Sequence, residues 1–321
     1  MSVEFFKPTF RIDFNKLWKL GITISVIACT LSIGTIFYRL YVSKDFNWGT
    51  DFSGGTELQV QFKNDIDIGV VRSHLAKGGF PTAQVVNFGD AVDREALIRI
   101  AEVSEGGKNP SQEMMAVLTK ELGEGSVTLR RVDEVGPKVG RELKINAFIS
   151  LILASFGILL YVWFRFTPEF APGGILALFH DVLVAAGVFV FLNHEFDLPI
   201  VAALLTIVGY SINDTMVIYD RIRENMKKER TGNLAEVVNN SLNETLSRTI
   251  LTSLLTMFVV VALFIESYGG IRDFALILFV GLISGTWSTL FVATPTVIWL
   301  GNRKKRLAAR QNATGNAVAA R

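Results

Sequence analysis

Six apolar runs, Leu20–Tyr38, Ile145–Phe164, Pro172–Leu192, Leu198–Tyr219, Ile250–Ser267 and Phe274–Leu300, leave this chain few ways to fold. Each has roughly the 20 residues that a helix rising about 1.5 Å per residue needs to cross a bilayer core. In hydrocarbon the backbone N–H and C=O groups must bond to one another, so such runs span as helices. The last is longer than needed and is read as tilted or as running past the bilayer. With 50% hydrophobic residues and a mean hydropathy of +0.38, a polytopic α-helical membrane protein with six transmembrane helices is expected. The first run is longer than the apolar part of a signal peptide and lacks a small-residue cleavage site, so it reads as an uncleaved anchor.

Residues 42–142 differ in kind, being rich in charges and short periodicities. Glu57-Leu58-Gln59-Val60-Gln61-Phe62 alternates as a half-buried strand does. Ile68, Val71 and Leu75 fall at helical spacing, and Gly78-Gly79 stops that helix. Ala83–Phe88 and Ala96–Ala101 read as strands, Asn109-Pro110 opens a helix that ends at Gly123, and Val127–Val132 is a last strand. The order βαββαβ is that of a ferredoxin-like α+β sandwich, inserted between the first and second spans. The chain thus divides into a 1–19 N-terminal segment, a 20–41 first helix, the 42–142 insert, the 143–300 region of helices two to six, and a 301–321 basic tail read as disordered.

Net charge is +2 and says little, but its distribution is informative. Lys7, Arg11, Lys16 and Lys19 precede the first span; Arg165 follows the second; Arg221, Arg223, Lys227, Lys228 and Arg230 follow the fourth; Arg303, Lys304, Lys305, Arg306 and Arg310 follow the sixth. The opposite short loops hold only Arg272. The positive-inside rule then puts both termini in the cytoplasm and the insert outside. The aromatic and cationic segment Phe5–Phe14 suits a membrane surface.

Few residues in the spans can carry chemistry. Asp214 lies late in the fourth run, and an acid inside a span costs at least about 2.5 kcal/mol on insertion scales. Thr206, Tyr210 and Asp214 follow at i, i+4 and i+8, with Ser211 three residues before the acid and Asn213 beside it, making one polar stripe. Such a stripe faces other helices or water; a helix-gluing acid and a functional one both remain open. His180-Asp181 lies in the third span. Arg248 stands at the entry to the fifth, about 8 Å in depth from Asp214, and a snorkelling guanidinium there could approach the acid. Its approach and withdrawal would switch the acid between charged and protonated forms, unless Arg248 only marks the membrane boundary. Gly281, Ser284, Gly285 and Ser288 form a small-residue face, read as helix packing rather than a site. The lone Cys29 excludes an intrachain disulfide, and no nucleotide loop, dinucleotide fingerprint, zinc spacing or Ser-His-Asp order is present. The chain is therefore read as a non-enzymatic transport accessory without a cofactor, drawing on an ion gradient or a partner.

Several segments are familiar. Phe46–Thr56 (FNWGTDFSGGT), with Gly49, Asp51, Gly54 and Gly55, resembles the glycine-rich signature of the SecD/SecF family of bacterial protein-export subunits, within the resistance-nodulation-division superfamily. Val135–Gly140, Ala177–Asp181, Ile207–Asp214 with Asp220–Asn225, and Thr245–Thr249 are similar to that family's segments in the same order, on its SecF side. The resemblance implies a heterodimer with SecD, association with the SecYEG channel and YajC, unfolded exported polypeptide as client, a bacterial inner-membrane location, and protons as the coupling ion. It implies proton-relay roles for Asp214 and Arg248, with His180, Asp181, Tyr210, Ser211 and Asn213 as polar support. It implies a geometric role for Gly49, Asp51, Gly54 and Gly55, and no nucleic-acid partner. One rival is a proton-driven small-molecule efflux subunit of the same superfamily, though such pumps usually repeat the six-span unit within one chain. An intramembrane aspartyl protease using Asp181 and Asp214 is disfavoured because the Gly-x-Gly-Asp element is missing around both.

Orientation is tested by labelling. In a Cys29→Ala background, Ser104→Cys should react with an impermeant thiol reagent at the outer membrane face, and Asn233→Cys only after permeabilisation. Reversed labelling would overturn the orientation.

Overall fold

The computed structural model describes residues 11–89, 92–101, 103, 109–165, 170–229 and 233–319. The surface segment read at Phe5–Phe10, the labelling position Ser104, and Lys7 and Arg230 lie outside the described residues.

Six helical rods are long and apolar enough to span a bilayer. The first, α1 (Phe14–Phe37), runs on through a π-helical turn at Tyr38–Val42 into a four-residue helix α2 (Thr50–Ser53) and then the insert. The insert comprises β1 (Gly55–Phe62), α3 (Ile68–Lys77), β2 (Gln84–Phe88), β3 (Glu95–Ile100), α4 (Pro110–Leu122) and β4 (Val127–Val135). The chain returns through α5 (Pro137–Arg165), α6 (Ala171–Phe191), α7 (Leu198–Lys228), α8 (Leu234–Glu266) and α9 (Gly269–Ser288). A second π-helical turn at Thr289–Ala293 joins α9 to α10 (Thr294–Ala319).

The insert is the two-layer sandwich that its periodicities imply. Its four strands lie in the order β2-β3-β1-β4, with β2–β3, β3–β1 and β1–β4 all antiparallel. Leu58, Val60 and Phe62 alternate onto one face and pack with Val71, Leu75, Ile98, Met114 and Leu118 in a closed core. Asp67 caps α3 through Gly69 N at 2.7 Å, and Asn109 caps α4 through Gln112 N at 3.3 Å ahead of Pro110. The opposite sheet face carries Glu57, Gln59, Arg99 and Arg131, and it looks onto the ends of α7 and α9.

In the bundle, α7 packs against α6, α8 and α9. Gly281 permits the close approach of α9, because a Cβ there would lie 2.3 Å from Ile207 Cδ1. The first N–H groups of α1 are capped across the bundle rather than locally. Ile12 N and Phe14 N donate to Asn243 Oδ1 and Asn239 Oδ1, each at 2.8 Å, and Asn243 Nδ2 returns a bond to Ile12 O at 2.9 Å.

Three helices reach beyond the apolar runs that hydropathy marks. The fourth and fifth helices run well past their apolar windows, to Lys228 and back to Leu234. Their wet extensions pair through Asn225 Nδ2 with Ser241 Oγ at 3.0 Å and Glu244 Oε2 at 2.8 Å, and through Arg221 Nε with Glu244 Oε2 at 2.5 Å. Polar pairing between two neighbouring helices sustains both where hydropathy no longer signals a helix. The tail expected to be disordered instead continues α10 as helix to Ala319. Its stretch Arg303–Gln311 holds only residues of strong helix propensity.

Candidate functional site

Asp181 is fully buried, at 0% exposure, and is the most heavily bonded side chain in the bundle interior. Its Oδ1 accepts from Ser284 Oγ at 2.7 Å and from His180 Nδ1 at 2.9 Å. Its Oδ2 accepts from Ser211 Oγ at 2.5 Å and from Ser288 Oγ at 2.7 Å. Four donors fill about the four lone-pair directions that a carboxylate offers. They come from α6, α7 and α9, so one side chain fastens three spans. Gly285 makes room for the cluster, since a Cβ there would meet Ser211 Cβ at 3.3 Å and Asp181 Oδ2 at 3.6 Å. Ser284 and Ser288, read from sequence as packing residues, are thus ligands of this acid. Next to them Thr215 Oγ1 and Thr289 Oγ1 lie 3.0 Å apart where the π-helical turn begins.

Asp214 is also buried, at 4% exposure, but has one side-chain partner: Ser253 Oγ on α8, at 3.3 Å. Ser253 in turn lies 3.0 Å from Thr286 Oγ1 on α9. The single polar stripe expected on α7 is therefore two. Tyr210 and Asp214 face α8, with Tyr210 OH 3.4 Å from Thr256 Oγ1, whereas Ser211 turns to Asp181. Asn213 is exposed, and Thr206 bonds its own helix at Ala202 O. Asp181 and Asp214 share no hydrogen-bond partner, which is not the geometry of two acids activating one water.

Arg248 is exposed, and among the described residues it forms no ion pair with Asp214 within 4.0 Å. The reason is angular. Ser241, Thr245, Thr249 and Ser253 recur at i+4 and are all buried, so they set the inner face of α8. Arg248 points roughly 80° away from the middle of that stripe and about 140° away from Ser253, the residue that meets Asp214.

The glycine-rich motif docks on the loop between α6 and α7. Gly49 N donates to Phe196 O and Phe196 N to Asn47 O, each at 2.8 Å, and Asn47 Nδ2 reaches Asn193 O at 3.0 Å. Thr50 N donates to Glu195 Oε1 at 3.3 Å. Asp51 Oδ2 accepts from Leu198 N at 3.2 Å, and Asp197 Oδ1 accepts from Ile200 N at 3.2 Å, so two acids cap the helix that carries Asp214. Phe46, Trp48, Phe52 and Phe196 stack around this seam, with Phe46 and Trp48 centroids 4.2 Å apart. Gly54 and Gly55 turn the chain into β1 at φ +74° and +126°, and a Cβ at Gly55 would sit 2.2 Å from Ile100 O. From the sheet, Arg99 pairs with both Glu57 and Glu195.

Burial pushes Glu195 up to about 7, with Glu57 and Asp197 adding to the rise and Arg99 opposing it. Burial likewise pushes Asp197 up to about 7, helped by Asp51 and Asp273 and opposed by the Ile200 N–H and Arg99. Both folded-state values lie above those of the unfolded chain, so the folded protein holds protons that the unfolded chain has lost. Stability should fall as pH rises from about 4 through about 7 and then level off, by at most about 1.4 kcal/mol per pH unit per group. Melting of the purified protein between pH 4 and 8 should show this fall. Glu195→Gln should make it shallower, leaving the part due to Asp197, while a slope unchanged in that variant would place the titration elsewhere.

The two intramembrane acids should differ in their tolerance of an amide. Asp181→Asn replaces one acceptor oxygen with a donor and should cost about 1–3 kcal/mol, whereas Asp214→Asn should stay within about 0.5 kcal/mol. Thermal melting in detergent measures both, and equal losses would contradict the donor count.

Comparison with known proteins agrees with this architecture. The family profile described as "Protein export membrane protein SecD/SecF, C-terminal" matches residues 114–303, and "SecD/SecF GG Motif" matches residues 44–66. The protein translocase subunit SecF of Vibrio alginolyticus is 40% identical over 305 residues, covering 95% of this chain and 94% of that protein. SecF of Pseudomonas aeruginosa is 40% identical over 291 residues, covering 90% and 91%. The crystal structure of SecDF, a translocon-associated membrane protein from Thermus thermophilus, superposes with a TM-score of 0.79 at 36% identity. That match covers 92% of this chain but 39% of the longer SecDF chain. With six spanning helices, an inserted ferredoxin-like domain and a glycine motif that caps the fourth span, this chain belongs to the SecD/SecF family, on its SecF side.

Proposed function

We propose that this chain is the SecF half of a SecD–SecF complex in the bacterial inner membrane, where proton movement at Asp214 drives the outer domains to promote export through the SecYEG translocon. YajC and the unfolded exported polypeptide are its further partners, both termini are cytoplasmic, and the proton is the coupling ion. The observation that carries this reading is the contrast between the two buried acids. Asp181 is held by four donors and is a fixed part of the frame. Asp214 has one hydroxyl partner, so gaining or losing a proton there disturbs few bonds. The buried stripe Ser241, Thr245, Thr249 and Ser253 leads toward it from the α7–α8 hairpin, and Thr249 Oγ1 in that stripe has no partner.

Arg248 acts by moving. Rotation of α8 together with extension of the long Arg248 side chain brings its guanidinium toward Asp214 and stabilises the ionised acid, and the reverse motion withdraws it. One proton crossing about 100 mV releases about 2.3 kcal/mol, which shifts a two-state equilibrium more than tenfold. The motion reaches the outer domain through α7, whose first turn is capped by the glycine motif.

Export into membrane vesicles with ATP fixed, and the proton gradient present or collapsed by an uncoupler, tests this reading. Asp214→Asn should assemble with SecD and lose the gradient-dependent component. Arg248→Lys keeps the charge without the planar fork and should be impaired less than Arg248→Met. Full uncoupler-sensitive stimulation in Asp214→Asn would leave Asp214 as a structural residue.

A further inference from the structure

Between the open face of the sheet and the ends of α7 and α9 lies a cavity of about 500 Å³. Its charge is one-sided. Glu57 on β1 and Asp133 and Glu134 on β4 line it from the sheet, and Asp51 lines it from the glycine motif. Glu195 and Asp197 face them from the α6–α7 loop, and Asp273 from α9. Among the described residues of the lining, the cations facing these acids are Arg99 on β3 and Arg131 on β4. Arg131 is engaged by Asp133 on its own strand at 2.6 Å, and Asp273 by His194 at 2.8 Å. Arg99 spans the seam, pairing with Glu57 beside it and with Glu195 opposite. Phe88 also meets Tyr268 across it, and Leu97 on the open face is left 8% exposed.

Two effects oppose each other at Glu195. Arg99 favours the carboxylate, whereas burial and the neighbouring Glu57 and Asp197 favour the neutral acid. Burial wins, because the group is pushed up to about 7 with Arg99 in place. Asp197 is pushed up to about 7 in the same way, with Asp51 and Asp273 adding to burial against the Ile200 N–H and Arg99. The His194 imidazole is held above its usual range by Asp273, against burial and Arg272, but that pair joins the loop to α9 and does not cross to the sheet. If the seam parts, water reaches Glu195 and Asp197, and both return toward the ordinary carboxyl range of about 4. Parting therefore releases protons, so acid favours the closed seam. The closed-to-open ratio falls as pH rises from about 4 through about 7, by at most about tenfold per pH unit for each group.

We infer that the seam between the sheet and the α6–α7 loop is a proton-closed clamp: neutral Glu195 and Asp197 let the sheet rest on the loop, and their ionisation loosens it. The clamp is separate from Asp214 and does not depend on that acid's role. With the insert outside, as proposed above, the proton-rich side of an energised membrane is the side that closes it.

Spin labels placed away from the seam measure its spacing. Val70→Cys on α3 and Leu192→Cys at the start of the loop are both exposed, and in a Cys29→Ala chain in lipid nanodiscs they carry nitroxides for double electron–electron resonance. The distance distribution should be narrow at about pH 5 and broaden toward longer distances at about pH 8, with half the change near the pH at which both acids titrate. Adding Glu195→Gln and Asp197→Asn, which are neutral at every pH, should keep it narrow at both. A clamp held by the Arg99–Glu195 ion pair would do the opposite, because the amides would broaden the distribution at both pH values. That outcome would overturn the proposal. So would a distribution that is the same at both pH values in the labelled chain with Glu195 and Asp197 intact, whether or not the amide variant folds.

Discussion

A carboxylate cannot remain in hydrocarbon without donors, and the arrangement of the central helices follows from how Asp181 collects them. Three serines and one imidazole converge on it from its own helix and two others. Removing one partner would leave a buried acceptor short of a bond, which costs more than the bond's net worth when made. The geometry of α6, α7 and α9 is thereby over-determined around one side chain, and the close contacts at Gly281 and Gly285 are what bring the helices near enough to reach it. In a lipid environment, where apolar burial between helices gives little net drive, such packing and polar contacts are the forces available.

The same constraint separates the two acids by role. On α7, Ser211 and Thr215 turn toward Asp181 and Thr289, while Asp214 turns toward Ser253. On α9, Ser284 and Ser288 serve one acid, and Thr286 bonds Ser253, the partner of the other. One helix pair therefore has a saturated polar face and a sparse one. The saturated face supplies a fixed frame against which changes at the sparse face are small.

Sequence revealed the spans and the sandwich because both rest on period: 20-residue apolar runs in one case, alternation at Glu57–Phe62 and a helical stripe at Met115, Leu118 and Leu122 in the other, which the structure turns by one residue so that Met114 is the fully buried methionine. It did not reveal where α7 and α8 end, since Asn225, Ser241 and Glu244 extend them by pairing with each other, which hydropathy does not register. Ser284 and Ser288 read as packing because a small hydroxyl residue serves close approach and hydrogen bonding alike, and only the partner's position decides. Among the described residues Arg248 makes no ion pair with Asp214 within 4.0 Å, and the reason is rotation rather than depth. The i+4 run of Ser241, Thr245, Thr249 and Ser253 was visible in the sequence, and it marks the inner face of α8 from which Arg248 is excluded.

The link between the outer domain and the acids has two parts of unequal strength. The glycine motif is bonded to the α6–α7 loop at backbone level, through Gly49, Asn47 and Phe196, and its Asp51 caps α7 itself. Any shift of α7 along its axis must carry the motif with it, or expose the Leu198 N–H and break the bridge between Trp48 and Phe196. The sheet, by contrast, reaches the loops through the Arg99 pair with Glu195 and the ring contact of Phe88 with Tyr268, centroids 6.5 Å apart. Gly54 and Gly55 carry the motif into β1, where Gly55 already pairs with Val135, in backbone conformations that other residues rarely adopt. The motif is therefore tied to α7 through backbone bonds and a helix cap, whereas the sheet meets the same loop through side chains, among them an ion pair whose Glu195 carboxyl burial pushes up to about 7.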